Sequence, residues 1–207
     1  MLDTLNIFQS IFPILVILFS IIIHEVAHGY VAYILGDETA YRMGRLTLNP
    51  IPHIDIVGSI LVPILSFTMS GMFLGWAKPV PVNIRNVEGK YGETFVSAAG
   101  VIANILLAIL AMIFFKVFSV NGMLDMKLSS ALFTIIGVNI SLALFNLMPI
   151  PPFDGMSILQ SLFPRLRNSF SNVVYNPVYL IIAIIVASTI FSYVAPFLFS
   201  VVMKILS

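Results

Sequence analysis

The chain has 207 residues, of which 59% are hydrophobic and only 9% are charged, whereas charged residues make up roughly 25% of soluble domains. This composition predicts an integral membrane protein with an all-α, polytopic fold. The formal net charge of +1, without a basic stripe carrying interleaved aromatics, excludes nucleic-acid binding. The chain contains no cysteine, which excludes disulfides, thiolate metal sites and a cysteine nucleophile.

Long apolar runs predict the membrane-spanning helices, each of which needs about 20 residues. Four stretches qualify: 5–35, 95–120, 128–148 and 177–205. A fifth stretch, 58–74, is shorter and contains Pro63 and Gly71, so it fits either a full span or a re-entrant segment. We therefore expect about four to five transmembrane helices in a single membrane domain covering 1–207, with a core at 20–165 and the last helix at 177–205.

The ten Lys and Arg residues discriminate between the two possibilities for 58–74, because cytoplasmic loops carry an excess of positive charge. If this stretch crosses the membrane, the ten residues divide equally and favour no orientation. If it is re-entrant, three of the ten lie on one side of the membrane: Lys116, Lys127 and Lys204. The other seven lie on the opposite side: Arg42, Arg45, Lys78, Arg85, Lys90, Arg165 and Arg167. We therefore predict four spans and a re-entrant segment, with the long loops on the cytoplasmic side.

The region between the first span and that segment has a different pattern. Residues 46–48, Leu-Thr-Leu, lie between Gly44 and the pair Asn49 and Pro50. Alternation bounded by turn residues predicts a short strand or membrane-associated β-hairpin. Because non-helical backbone near a membrane needs protein or a wet cavity to satisfy it, we expect this segment to line a cavity.

Three ionisable residues, His24, Glu25 and His28, follow a long apolar run in the first span. Residues i and i+4 share one face of a helix, so both imidazoles can reach one metal ion while Glu25 projects beside it. This is the HExxH pattern of metallopeptidases, which bind zinc through the histidines and activate water through the glutamate. The alternative is a buried histidine pair with a protonated carboxyl, but three such groups within a span favour a function.

A catalytic zinc ion usually takes three protein ligands and water. Asp154 is the favoured third ligand, because the prolines before it break the preceding helix and give its carboxylate an approach that a regular helix does not offer. In the re-entrant arrangement it also falls at a depth similar to that of His24. A helix-capping role is the alternative for Asp154. Other candidates, better explained as loop residues, are His53, Asp55, Glu88, Glu93 and Asp125.

Five segments carry a resemblance to a known family: HEVAHGYVAY, MGRLTLNPIPHIDIVG, GWAKPVPVN, SAAGVIAN and FNLMPIPPFDG. Together they resemble the site-2 protease family of intramembrane zinc metalloproteases, in its compact prokaryotic branch without a PDZ domain. The resemblance implies one zinc ion held by His24, His28 and Asp154, with Glu25 as general base. It also implies hydrolysis of peptide bonds within or near transmembrane segments of membrane proteins, in a prokaryotic cell membrane and toward its cytoplasmic side.

The resemblance also implies roles for two asparagines. Asn146 matches an asparagine that holds the substrate carbonyl or its oxyanion, and Asn104 matches a small-residue motif on the central helix, where we expect substrate contact. An amide near a metal can donate to an oxyanion, although asparagine within a span more often links helices. Val101 departs from a proline of many relatives. We expect Leu46 and Thr47 to bind the unwound substrate as an added strand.

The main alternative function is a membrane transporter that uses the His, Glu and Asp cluster for metal ions or protons, since broken helices occur at mid-membrane in transporters. The sequence contains no internal repeat that would support it. Further alternatives are an inactive scaffold and a membrane metallopeptidase acting on soluble peptides, which the short loops disfavour. The expected partners are the lipid bilayer and transmembrane substrates, and the sequence predicts no particular oligomeric state.

Overall fold

The computed structural model describes residues 4–61, 64, 68, 77–166 and 177–206. These residues are mostly helical. The helices are α1 Thr4–Ile34, α2 Thr39–Arg42, α3 Gly92–Val120, α4 Met126–Asn146, α5 Asp154–Leu162 and α6 Pro177–Leu206. Short 3₁₀ turns lie at Ile51–His53, Ile84–Asn86 and Pro164–Leu166, and a π-helical stretch lies at Ile56–Leu61.

Four of these helices, α1, α3, α4 and α6, are long and apolar enough to cross a membrane. They coincide with the four predicted spans, so the all-α polytopic prediction is confirmed for the described residues. Much of their outer surface is apolar and exposed, as at Ile102, Leu106, Ile109 and Ile113 of α3. Apolar surface of this extent on a helical bundle indicates contact with lipid.

Helix α3 is the central element, because it packs against α1, α4 and α5. Small residues, among them Ala99, Gly100, Ala108 and Ala111, are buried on α3 and let neighbouring backbones approach closely. Near the end of α3, larger side chains form an apolar core with α4 and α6. Its buried members are Ala111, Phe115, Leu132, Ile136, Val202 and Leu206.

Two hydrogen bonds define the ends of the bundle. Glu88 N donates to Leu35 O over 2.7 Å, so the chain leaves α1 and reaches α3 at one end, the Leu35 end. Lys116 Nζ donates to Leu206 O over 3.4 Å at the opposite end, the Leu206 end. Helices α1 and α3 are therefore antiparallel. The predicted re-entrant segment, 58–74, lies largely outside the described residues.

The predicted β-hairpin is wrong, since the described residues contain no strand. The region instead contains α2, bends at 46–48 and the 3₁₀ turn that begins at Ile51. Local bonds replace strand pairing: Asn49 N donates to Thr47 Oγ1 over 3.2 Å, and Ile51 N donates to Asn49 Oδ1 over 3.1 Å. Side chains that bond to their own backbone favour turns over strands, and here they outweigh the alternating pattern.

Asp37, just after α1, is fully buried and joins the end of that helix to the turn before α3. Its Oδ1 accepts hydrogen bonds from Thr39 N over 3.2 Å and from Asn86 Nδ2 over 3.0 Å. Its Oδ2 accepts one from Asn83 N over 2.7 Å. Burial raises the pKa of Asp37, but the hydrogen bonds, with that of the Thr39 hydroxyl the largest, outweigh burial and lower the pKa.

This lowered pKa predicts an acid-sensitive fold. As the pH falls below the ordinary aspartate pKa, the unfolded chain takes up a proton before the folded chain does, so the stabilisation is lost through the folded-state pKa. We expect Asp37→Asn to lower the free energy of unfolding at neutral pH by about 1–3 kcal/mol and to remove this acid dependence. Thermal unfolding in detergent across pH measures both.

The matched control is Asp125→Asn. Asp125 is exposed and caps α4 by accepting a hydrogen bond from Leu128 N, a role that asparagine fills equally well. Its unfolding should resemble that of the wild type. An unchanged acid dependence in Asp37→Asn would show that Asp37 is not the titrating group.

Candidate metal centre

Two histidines of α1 face a carboxylate at the start of α5. The Nε2 atoms of His24 and His28 lie 3.1 Å apart, and Asp154 Oδ2 lies 3.1 Å from the first and 3.3 Å from the second. Asp154 Oδ2 is buried and accepts no hydrogen bond. The structure thus brings together the three residues that the sequence predicts as metal ligands.

The second nitrogen of each imidazole is held by an acceptor. His28 Nδ1 donates to Val96 O over 2.7 Å, and His24 Nδ1 lies 2.6 Å from Asn104 Oδ1. Because Asn104 Nδ2 donates to Asn139 Oδ1 over 2.9 Å, its Oδ1 is free to accept from His24. Both histidines therefore carry hydrogen on Nδ1 and present the lone pair of Nε2.

This arrangement fits a zinc ion. Lone pairs of two imidazoles and a carboxylate that converge within 3.1–3.3 Å repel one another unless a cation lies among them. Tetrahedral ligands at the usual zinc distances lie about 3.3 Å apart. Three protein ligands leave a fourth position for water or substrate.

Two glycines allow the ligands to converge. A Cβ atom on Gly100 would collide with Nε2 of both His24 and His28, so α3 can lie against the histidines only with glycine at this position. A Cβ atom on Gly155 would collide with the carbonyl of Leu147. Glycine there lets α5 begin at Asp154 directly beneath the end of α4.

Known proteins share much of this chain. It is 41% identical over 163 residues to the protein named "Putative zinc metalloprotease YwhC" of Bacillus subtilis, covering 75% of this chain and 71% of that protein. The profile described as peptidase family M50 matches residues 115–190. The chain belongs to peptidase family M50. "Putative zinc metalloprotease Rip2" of Mycolicibacterium smegmatis is 30% identical over 144 residues, covering 69% of this chain and 54% of that protein. No solved structure matches.

The predicted relationship to the site-2 proteases is confirmed, since these are the M50 peptidases. The chain is an intramembrane zinc metalloprotease with four helices able to span a membrane, and His24, His28 and Asp154 form a site able to hold its metal. Both relatives carry the names of zinc metalloproteases. Nothing favours the transporter alternative.

The remaining predicted residues of this M50 peptidase are not among the three clustered ligands. Glu25 Oε2 accepts a hydrogen bond from Val80 N over 2.9 Å. Asn146 Nδ2 donates to Leu142 O of its own helix over 3.0 Å, so its contact with an oxyanion stays a prediction. Substrate binding by Leu46 and Thr47 also stays a prediction.

Asn104 is fully buried and bonds to side chains of two neighbouring helices, His24 of α1 and Asn139 of α4. Its Nδ2 also lies 3.4 Å from the backbone oxygen of Ser20. These contacts favour a role in orienting a zinc ligand, while the predicted contact with substrate stays untested. Asn139 was missed from the sequence, although an asparagine amid the apolar residues of α4 is itself a signal of a polar contact between helices. It is 1% exposed and donates to Ile135 O.

Gly100→Ala tests the close approach of α3. We expect the added methyl group to displace α3 or the histidines, so purified protein should contain much less than one zinc ion per chain. Gly137→Ala is the matched control, because a Cβ atom on this α4 glycine would meet only Phe199, at an ordinary 3.8 Å. Full zinc content in both variants would contradict the close approach.

Asn104→Ala tests the bond to His24. Loss of a hydrogen-bonding partner of a ligating histidine typically lowers metal affinity about 10- to 100-fold, and we expect a change of that size in zinc affinity measured by chelator competition. Asn121→Ala, which removes an exposed amide that donates to Val117 O, should bind zinc like the wild type. Equal affinities for all three proteins would remove Asn104 from the site.

Proposed function

We propose that this peptidase hydrolyses peptide bonds within or near the transmembrane segments of membrane proteins, with His24, His28 and Asp154 as its zinc ligands. The observation that carries this proposal is the convergence of three ligand atoms inside a bundle of membrane-length helices. His24 lies ten residues before the end of α1, about 15 Å along the helix axis. Half the thickness of the hydrocarbon core is about the same, so the substrate is a protein within the bilayer.

Glu25 is the general base in this proposal. When bound, zinc supplies Lewis acidity that polarises a carbonyl oxygen and lowers the pKa of water. Glu25 takes the proton of the attacking water and returns a proton to the leaving amine. Asn146, near the end of α4, is the proposed donor to the oxyanion.

The substrate must present an extended peptide to this site, because a helix hides its amide groups in internal hydrogen bonds. Leu46 and Thr47 are the proposed substrate contacts. The position of Leu46 supports this, since a Cβ atom on Gly29, the residue after His28, would touch Leu46 Cδ2. They offer a bend rather than a strand, so no added β-strand is proposed.

The site faces the cytoplasmic side of a prokaryotic cell membrane in this proposal. Six of the positive residues predicted on that side are described, and they belong to segments at the Leu35 end: Arg42, Arg45, Lys78, Arg85, Lys90 and Arg165. Lys116 and Lys204 belong to the Leu206 end. The excess of positive charge in cytoplasmic loops supports the proposed orientation.

Glu25→Gln separates catalysis from metal binding. We expect this variant to keep its zinc and to lose cleavage by at least about 100-fold, the usual contribution of a general base, whereas Asp154→Ala should lose zinc as well. Metal analysis of the purified proteins gives the first quantity. Comparative proteomics of membrane fragments from cells expressing wild type or Glu25→Gln gives the second and identifies substrates.

Glu38→Gln is the control for these variants, because Glu38 is exposed and pairs with Arg42 across one turn. It should keep both zinc and cleavage. Full activity of Glu25→Gln would refute the proposed mechanism. A metal flux in liposomes without cleavage would instead favour transport.

A further inference from the structure

The carboxylate of Glu25 is bonded to the backbone N–H group of Val80, which lies between two prolines. Residues 77–83 are neither helix nor strand. Pro79 and Pro81 have no N–H group, so Val80 N is the only backbone donor among these three residues. It donates to Glu25 Oε2 over 2.9 Å.

This segment is itself held by a buried arginine. Arg45 Nη2 donates to Lys78 O over 2.9 Å and to Pro79 O over 3.2 Å. Arg45 is only 6% exposed, and no ion pair joins it to another residue in the described part of the chain. Burying a guanidinium without a carboxylate costs free energy, and the two carbonyl contacts offset part of this cost while holding the segment in place.

The backbone of a buried histidine also bonds to this segment. His53 is 1% exposed, and its Nε2 donates to Thr47 O over 2.9 Å. Lys78 N donates to the carbonyl oxygen of His53 over 2.9 Å. The 3₁₀ turn at His53 therefore fixes the backbone that precedes Pro79.

Val80 also lies directly against the helix that carries the ligands. A Cβ atom on Gly29 would collide with Val80 Cγ1, and Val80 is buried. Glycine after His28 thus lets the segment lie on α1, within reach of Glu25. Three features therefore determine where the Val80 N–H group points: the bonds of Arg45, the bonds of His53, and the contact of Val80 with Gly29.

We propose that Arg45 and His53 are positioning residues for the hydrolysis, acting through residues 78–80 to hold the Val80 N–H group on Glu25. One carboxylate oxygen is then fixed, and the other is free for the attacking water. A carboxylate that accepts a charge-assisted bond keeps one orientation, which favours a productive geometry. This proposal rests on Glu25 acting as the general base.

The kinetic test uses the full chain in liposomes and an internally quenched single-span peptide that the wild type cleaves. We expect Val80→Pro and Arg45→Gln to lower kcat about 10-fold or more, the effect of losing one bond to a charged group, with KM and zinc content nearly unchanged. Arg45→Lys should recover part of kcat, because a lysine keeps the charge but not the planar fork.

Two controls are matched to these variants. Arg42→Gln removes an arginine of the same turn region that is exposed and pairs with Glu38, and it should leave kcat unchanged. Val80→Ala keeps the N–H group but shortens the side chain, so its kcat should exceed that of Val80→Pro. Equal losses in the two Val80 variants, or wild-type kcat in Arg45→Gln, would overturn the proposal.

A spectroscopic test needs no substrate. Chain labelled with ¹³C-carbonyl proline and ¹⁵N-valine gives correlated amide signals only from Pro–Val pairs, which occur at 79–80, 81–82 and 177–178. Val80→Ala identifies one of them. We expect Glu25→Ala and Arg45→Gln to shift the Val80 signal and to leave the Val178 signal in place.

An unmoved Val80 signal in both variants would contradict the proposed bond. The two proposals fail separately: cleavage by Glu25→Gln would refute the general base, whereas a fixed Val80 signal would refute the positioning network even if Glu25→Gln were inactive.

Discussion

The structure depends on holding three electron-rich ligand atoms close together in an apolar surrounding. Nε2 of His24, Nε2 of His28 and Oδ2 of Asp154 converge within 3.3 Å, an arrangement that a cation among them stabilises. Every neighbouring element is built to keep them there. Val96 O and Asn104 hold the outer nitrogens of the histidines, and glycine at the contact lets α3 approach.

Polar side chains inside this bundle form a series of hydrogen bonds that connects three helices. His24 of α1 bonds to Asn104 of α3, which bonds to Asn139 of α4, whose amide donates to Ile135 O. In a membrane the cost of an unpaired polar group is several kcal/mol. Any other packing of these helices has to pair the same polar side chains. The same bonds that orient a ligand therefore also determine how three helices pack.

The sequence predicts the features that depend on local pattern. Apolar runs give the four spanning helices, the i, i+4 spacing gives the histidine pair, and the prolines before Asp154 give the break that brings it to them. Contacts between distant segments were not predictable in this way. The local pattern around Asn139, Arg45 and Val80 does not indicate their partners, which lie 33 to 55 positions away.

The strand prediction failed for a related reason. Alternation at 46–48 describes a side-chain pattern, but a strand also needs a neighbouring strand to pair with. The described chain offers none, and the side chains of Thr47 and Asn49 take the backbone donors instead. Fold class followed from composition, whereas this turn depended on competition between individual hydrogen bonds.

The position of Asp154 has a consequence for biosynthesis. The histidines lie in α1, and Asp154 follows His28 by 126 positions, after the two membrane-length helices α3 and α4. A growing chain therefore has no complete metal site until α5 has reached α3, where Thr94 and Ser161 meet through their hydroxyl groups, 2.7 Å apart. Chemistry that needs all three groups therefore cannot begin before α5 has been made and has packed against α3.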